Sequence, residues 1–213
     1  MNFLVLILAY FIGAIPFGVL VGRACGVDVQ SVGSGNIGTT NVWRALGPKM
    51  GATVFALDVF KGAAASLLAR YFVPDNQTLW ALAMLIVVLG HTFSVFLKFK
   101  GGKGVATAFG AMLGVVPVVA LGCFAWWGLV LLVSRLISVA SIAVCFAAPI
   151  GAIWIGATTP TISVITLFCV VGLVKHVPNI KRILAGTEPK VGQKKSAILS
   201  TRIEERLDES AVL

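Results

Sequence analysis

The chain has 213 residues, of which 58% are hydrophobic and only 12% are charged, so its composition is not that of an ordinary soluble domain. It contains several charge-free runs long enough to cross a bilayer, which requires roughly 20 apolar residues. The formal net charge of +9 would fit a nucleic-acid partner, but the basic residues lie between the apolar runs. Topogenic charge and contact with anionic lipid or an anionic substrate explain that pattern better. We therefore interpret the chain as an integral membrane protein that binds no nucleic acid.

Two predicted spans enclose the first polar loop. Residues 2–22 carry no charge and have no basic segment before them, which favours a retained first span over a cleaved signal peptide. Residues 23–51 are polar and rich in glycine, and residues 52–72 form the second span. Asp58 and Lys61 lie inside that span, three apart and therefore on one helix face. They are either a functional charged pair inside the membrane or a structural ion pair.

The third span is predicted from Thr78 to about Leu97, after a short turn at residues 73–77. His91 falls in its last two turns. The favoured interpretation is a histidine whose hydrogen bonds are satisfied inside a helix bundle. Substrate binding is the alternative.

Two long charge-free segments follow, and each is too long for one helix. Residues 104–134 would reach about 46 Å at 1.5 Å per residue, whereas the apolar core of a bilayer is about 30 Å thick. A turn near residues 114–117 divides this segment, which leaves a short first helix at about residues 105–115. The turn signal at residues 156–160 divides the next segment, residues 136–174. The count is seven apolar segments, one of them short.

Seven crossings place nearly all the basic residues on one side of the membrane. Only Lys61 and Arg70, of the 17 Lys and Arg residues, then lie elsewhere. By the positive-inside rule this side is the cytoplasm. The predicted fold is an all-α membrane protein, a polytopic bundle of about seven transmembrane helices with cytoplasmic active-site loops. Residues 1–192 form the membrane domain and residues 193–213 a polar cytoplasmic tail.

Three polar clusters share the predicted cytoplasmic face, at residues 34–44, 98–104 and 175–188. No acidic residue occurs between Asp75 and Glu188. Hydroxyls, amides, glycine N–H groups and cations therefore dominate the face, and such groups are suited to binding one or more phosphates. The glycine-rich stretches could also be ordinary turns, and the lysines could only mark the end of a span.

Individual residues in these clusters have chemistry that suits a phosphate site. Arg44 can grip a phosphate with two hydrogen bonds, and Lys103 supplies a point charge. Gly104 follows Lys103, so the loop is not a Walker A motif. His176 and Asn179 either act on substrate or cap a helix end, and we expect a helix break at Pro178 to present both side chains.

The motifs resemble those of a known family, the bacterial acyl-phosphate:glycerol-3-phosphate acyltransferases. The resemblance covers residues 1 to about 192, with similar order and spacing. The four matching stretches are residues 33–44, 57–62, 90–107 and 176–180. The chain departs from the family at Thr39, where alanine is usual, and at Ser94, where proline is usual.

The resemblance implies transfer of a fatty acyl group from acyl phosphate to the sn-1 hydroxyl of glycerol 3-phosphate, giving lysophosphatidic acid and phosphate. No metal or cofactor is implied. The residues expected to hold acyl phosphate are Ser34, Gly35, Asn36, Gly38, Thr39, Thr40, Gly101, Gly102 and Lys103. Those expected to hold glycerol 3-phosphate are Arg44, Lys103, His176 and Asn179. Ser34, Arg44, Lys103, His176 and Asn179 are the predicted catalytic residues, and Asn41, His91 and Glu188 complete the substrate-binding set.

The predicted enzyme lies in the bacterial cytoplasmic (inner) membrane, with its active site facing the cytoplasm and a monomer favoured. An acyl phosphate already has a good leaving group, so we expect direct attack by the hydroxyl without an acyl-enzyme. The alternative is a membrane transporter for a phosphorylated anion. It accounts for the basic face, but not for the small size of the chain or for the clustering of every motif on one side. A headgroup transferase of the CDP-alcohol type would need clustered aspartates for metal, which this chain lacks.

Overall fold

The computed structural model describes residues 2–192, which form helices and connecting loops without a strand. The predicted tail, residues 193–213, lies outside the described residues. The helices are α1 (Asn2–Ala14), α2 (Phe17–Ala24), α3 (Thr39–Leu46), α4 (Pro48–Phe72), α5 (Gln77–Thr92), a 3₁₀ turn (Val95–Leu97), α6 (Val105–Val115), α7 (Pro117–Ser134), α8 (Ile137–Trp154) and α9 (Thr159–Leu184).

Six of the described segments are long and apolar enough to cross a membrane. The first, Phe3–Ala24, consists of α1 and α2 together. The seventh apolar helix, α6, has 11 residues and is about 16 Å long, well short of a bilayer core. The predicted all-α membrane bundle of about seven helices, one of them short, is confirmed.

Pro16 interrupts its helix, whereas Pro178 does not. Pro16 divides the first span, because it cannot donate the hydrogen bond that would continue α1 into α2. Side chains from elsewhere in the chain satisfy the freed carbonyls at the end of α1: Ser94 Oγ, from the loop after α5, donates to Ala14 O at 2.6 Å, and Lys61 Nζ of α4 donates to Ile15 O at 2.9 Å. The predicted helix break at Pro178 is wrong, since α9 continues through it to Leu184.

Small residues allow the helices to pack closely. A Cβ on Gly62 of α4 would collide with the Thr107 carbonyl of α6, and one on Gly110 of α6 with the Val59 carbonyl of α4. Close backbone contact of this kind is the usual way for helices to associate in lipid. Arg70 at the far end of α4 donates to Gly114 O at 2.8 Å and so caps α6. The short helix is therefore fixed along its whole length against α4.

Large apolar side chains cover the outside of the bundle. Exposed examples lie on five different helices, at Phe3, Phe60, Leu132, Trp154 and Val174. In water such a surface would promote association, whereas in a bilayer it contacts lipid tails. The chain is therefore built as an integral membrane protein, as predicted.

The polar loops gather at one end of this bundle, which we call the loop end and define by residues 25–47, 93–104, 135–136 and 185–192. Hydrogen bonds join these distant segments, including Arg44 Nη2 to Pro189 O at 3.2 Å and Val191 N to Arg135 O at 2.9 Å. A small apolar core beneath the first loop anchors it to the bundle: Val19, Val29, Ile37, Val42 and Val54.

Candidate active site

A cavity of about 210 Å³ opens at the loop end. Three separate segments of the chain supply its walls, namely the first loop, the glycine loop after α5 and the last turns of α9. Its lining residues are Ser34, Gly35, Asn36, Gly101, Gly102, Lys103, Lys175, Pro178, Asn179 and Arg182. The three predicted polar clusters therefore meet in one pocket.

Asn41 holds the first loop in shape from the inside. Its Oδ1 accepts from Ser34 N at 3.0 Å, and its Nδ2 donates to Val29 O at 2.8 Å and Val32 O at 3.1 Å. The side chain is 1% exposed and does not line the pocket. Gly35 takes a φ of +68°, a left-handed value that favours glycine. The structure thus places Asn41 behind the loop and Ser34 in front of it.

Gly38, Thr39 and Thr40 also lie outside the pocket wall. Gly38 caps α3, and Thr39 and Thr40 are its first two residues. Asn36 Oδ1 accepts from Gly38 N at 3.2 Å, which fixes the approach of the loop to the helix.

The glycine loop follows an unusual backbone path. Lys98 and Phe99 both have left-handed φ values, +51° and +63°, which residues other than glycine rarely adopt. The loop then turns back on α5, where Gly101 N donates to Thr92 O and Gly102 N to His91 O, each at 3.1 Å. Ser94, at the position where the resembled family usually has proline, leaves this arrangement intact. Helix α5 ends before it, at Thr92, and the Ser94 hydroxyl donates to Ala14 O at the end of α1.

Lys103 begins a chain of hydrogen bonds across the pocket floor. Its Nζ donates to Asn179 Oδ1, whose Nδ2 donates to Glu188 Oε1 at 2.7 Å. Arg182 Nε donates to the other carboxylate oxygen, Oε2, also at 2.7 Å. Burial lowers the pKa of Lys103 to about 8, with the charges of Arg182 and Arg44 acting in the same direction and Glu188 opposing. Lys103 is therefore a cation that titrates near neutral pH.

Glu188 is the acidic residue of this hydrogen-bonded network. Burial acts to raise the pKa of its carboxyl, but the hydrogen bonds from Asn179 and Arg182 outweigh burial and lower it. The carboxylate stays ionised and neutralises part of the surrounding positive charge. Glu188 lies behind the pocket wall, where it orients Asn179 and Arg182.

Arg44 reaches the same network from α3. Its Nη2 bonds to Pro189 O, one residue beyond Glu188. Burial lowers the pKa of Arg44, with Arg182 adding to the effect and Glu188 opposing it. A guanidinium remains protonated at physiological pH despite such a change. Arg44 does not line the pocket, but its charge acts on the pocket residue Lys103, so it supplies a permanent positive charge close to the pocket.

His176 lies one turn before Asn179 on α9 and is 2% exposed. Its Nδ1 is 2.7 Å from Gly172 O. A carbonyl oxygen can only accept, so Nδ1 carries the proton and Nε2 is left with a free lone pair. His176 therefore has an available proton acceptor at Nε2.

Three pocket-lining residues were not among the predicted site residues, namely Lys175, Pro178 and Arg182. Lys175 and Arg182 line the pocket with Asn179, at the i, i+4, i+7 spacing of one helix face, so α9 periodicity could have revealed them.

The predicted residue His91 lies beneath the pocket. Its Nδ1 is 2.9 Å from Lys61 Nζ, and its ring faces the back of Gly102. Lys61 also pairs with Asp58 at 2.8 Å, so the expected pair on one face of the second span is present.

Taken together, these features define a polytopic helical membrane protein with a pocket at one end of its bundle that is lined by cationic, hydroxyl and amide side chains. The sequence matches the family model described as glycerol-3-phosphate acyltransferase over residues 3–186. Relatives of that name include proteins from Rubrobacter xylanophilus, 45% identical over 89% of this chain and 94% of the relative, and Thermus thermophilus, 44% identical over 90% and 96%.

Solved structures of glycerol 3-phosphate acyltransferases also match this chain. The fold is similar to the crystal structure of PlsY (YgiH), an integral membrane glycerol 3-phosphate acyltransferase, in its glycerol 3-phosphate form. The TM-score is 0.86 and the identity 39%, over 90% of this chain and 96% of that one. The lysophosphatidic acid form of that protein matches with a TM-score of 0.84. The chain belongs to the glycerol-3-phosphate acyltransferase family, and the enzyme class that its motifs indicated is confirmed.

Proposed function

We propose that this protein transfers a fatty acyl group from acyl phosphate to the sn-1 hydroxyl of glycerol 3-phosphate, releasing lysophosphatidic acid and phosphate. The observation that carries the proposal is the convergence of all three phosphate-suited segments on one pocket at the loop end. The family membership of the chain supports the acceptor. The chemistry of the pocket supports a phosphorylated donor.

The acyl phosphate is assigned to the side of the pocket formed by the two glycine-containing loops. Ser34 and Asn36 supply a hydroxyl and an amide, and Gly101 and Gly102 complete the wall on this side. Lys103 stands beside them as the neutralising cation. An acyl chain leaving this site can enter the surrounding lipid, because the pocket lies at the end of a lipid-covered bundle.

Glycerol 3-phosphate is assigned to the α9 side. Arg44 grips the phosphate, and Lys103 and Asn179 contact it from the pocket floor. Lys175 and Arg182 add positive charge to the same wall. The two phosphates then lie on either side of Lys103, which the hydrogen-bonded chain to Asn179 holds at the centre.

The reaction is a direct displacement. The sn-1 oxygen attacks the carbonyl carbon of the mixed anhydride, the carbon–oxygen bond to phosphate breaks, and phosphate leaves with the bonding electrons. His176 Nε2, or a phosphate oxygen of a substrate, takes the hydroxyl proton. The Lys103 ammonium stabilises the developing negative charge. No cofactor is required for this chemistry.

The enzyme is proposed to work as a monomer in the bacterial cytoplasmic membrane with the pocket facing the cytoplasm. Lys98 and Lys100 are exposed at the loop end, and Arg23 and Lys49 are exposed on the helix turns next to it, in agreement with the positive-inside rule. Soluble substrates would then reach the pocket from the cytoplasm.

The donor is tested with detergent-purified protein and glycerol 3-phosphate, supplied with either palmitoyl phosphate or palmitoyl-CoA. We expect lysophosphatidic acid to form from palmitoyl phosphate at a rate at least about 100-fold above that from the CoA ester, because the pocket is shaped for a small phosphate. Lys103→Ala protein serves as the control for non-enzymatic transfer. Transfer from palmitoyl-CoA alone would overturn the proposed donor, and transfer from neither would favour the transporter alternative.

A further inference from the structure

Three titratable side chains form a buried cluster beneath the pocket floor. Asp58 and Lys61 extend from α4 and His91 from α5, and each is between 2% and 4% exposed. Lys61 Nζ lies 2.8 Å from Asp58 Oδ1 and 2.9 Å from His91 Nδ1. None of the three lines the pocket. Removing two charges from water is costly, so a buried cluster of this kind contributes little to stability on its own account.

The cluster has a direct connection to the glycine loop. An ammonium group can only donate, so His91 Nδ1 accepts from Lys61 and the ring proton is on Nε2. That Nε2 edge lies against Gly102, where an added Cβ would collide with the ring. The His91 carbonyl also accepts from Gly102 N at 3.1 Å. The orientation of one imidazole therefore sets where Gly102 lies.

Lys61 has a second connection, to the first loop. It donates to Ile15 O at the break between α1 and α2, and it lies 5.5 Å from the centre of the Phe17 ring. One residue further, Gly18 is in such close contact with the Ile37 carbonyl that a Cβ would not fit. Ile37 follows the pocket-lining residue Asn36. A single ammonium thus supports both of the loops that form the acyl phosphate side of the pocket.

We infer that Asp58, Lys61 and His91 are positioning residues that hold residues 34–36 and 101–103 in the geometry that binds phosphate. Asp58 supplies the counter-charge for Lys61, Lys61 sets the orientation of the His91 ring and of the α1–α2 break, and His91 sets Gly102. The assignment of the bound phosphate to acyl phosphate rests on the proposed function. The positioning of the two loops does not depend on which phosphate compound binds.

Lys61→Met tests the inference, since methionine keeps the apolar stem and removes the two hydrogen bonds, to Ile15 O and His91 Nδ1, together with the ion pair to Asp58. We expect KM for palmitoyl phosphate to rise by about 10- to 100-fold, as for a displaced binding loop. The matched control is Arg70→Met, which removes a cation from the opposite end of α4 together with its bond to the Gly114 carbonyl. That variant is expected to lower Tm and leave KM unchanged. A Lys61→Met protein with lower Tm and unaltered KM would overturn the inference.

Two variants of His91 decide the question independently of Lys61. Asparagine places an oxygen near the Nδ1 position and can still accept from Lys61, whereas phenylalanine keeps the ring shape without an acceptor. We expect KM for palmitoyl phosphate in His91→Asn to stay within about threefold of the wild-type value. In His91→Phe we expect KM to rise as much as in Lys61→Met, by about 10- to 100-fold. The reverse order, or equal values of KM for both, would contradict a positioning role that runs through the Lys61 contact.

A readout without turnover separates this inference from the proposed function. Inorganic phosphate is expected to raise the Tm of the unaltered protein, because it binds the folded pocket, and to leave Lys61→Met almost unshifted. Arg70→Met should show the full phosphate-dependent shift. An equal shift in Lys61→Met would overturn the inference even if the enzyme used a different donor. An inactive wild-type protein that shows the expected Tm pattern would count against the proposed function alone.

Discussion

Lys103→Ala is expected to lower kcat/KM by about 10³-fold, the largest effect that any single substitution in the pocket should have. The Lys103 ammonium is central to the proposed site, between the glycine loop and the α9 wall, and its removal leaves the developing phosphate charge without its nearest cation. It also removes the donor to Asn179 Oδ1, while the bond from Asn179 Nδ2 to Glu188 remains. The measurement is phosphate release from palmitoyl phosphate in the presence of glycerol 3-phosphate. Lys98→Ala, an exposed lysine five residues earlier, is the matched control and should keep near-normal rates.

The same lysine predicts the pH dependence of the reaction. Burial lowers the pKa of Lys103 to about 8, so the cation that binds phosphate is lost as pH rises through that value. Because kcat/KM reports groups on the free enzyme, it should fall with rising pH through about 8. Lys103→Arg should remove this fall, since a guanidinium stays charged throughout. If kcat/KM had the same pH dependence above pH 8 in wild type and in Lys103→Arg, the assignment of the fall to Lys103 would be contradicted.

The second large effect is expected at Arg44. Arg44→Ala should lower kcat/KM for glycerol 3-phosphate by about 100-fold or more, mainly through a higher KM, because a phosphate loses two parallel hydrogen bonds and a permanent charge. Arg44→Lys should recover only part of the loss, since an ammonium cannot reproduce the planar fork. The variants are compared by varying glycerol 3-phosphate at saturating palmitoyl phosphate.

Arg23→Ala provides the control for Arg44, because Arg23 is an exposed arginine at the same end of the bundle. It should behave as wild type. Near-normal kinetics in Arg44→Ala would remove Arg44 from the site and leave Lys175 and Arg182 as the cations that hold glycerol 3-phosphate.

The sequence was most informative where a single physical requirement dominates. A bilayer demands long apolar helices, so their approximate positions follow from hydropathy and turn signals. The short helix is an example, since the bounds predicted from Gly114 and Pro117 match Val105–Val115. Charge asymmetry predicted that the three polar clusters share one face, and all three line one pocket.

Contacts between helices could not be predicted in this way. Asp58 and Lys61 were recognised as a pair by their spacing, but their third partner, His91, lies on another helix. Pro178 was wrongly expected to break α9, because local propensity was weighed without the packing that keeps a membrane helix continuous. The site residues themselves follow from motifs, and their division into pocket wall and support requires the structure.

The most direct test of the account is the time course of phosphate release from palmitoyl phosphate, measured in the first turnover with and without glycerol 3-phosphate. Direct transfer predicts release only when glycerol 3-phosphate is present, with one lysophosphatidic acid formed for each phosphate. A burst of phosphate equal to the enzyme concentration in the absence of glycerol 3-phosphate, followed by transfer on its addition, would reveal an acyl-enzyme and contradict the account.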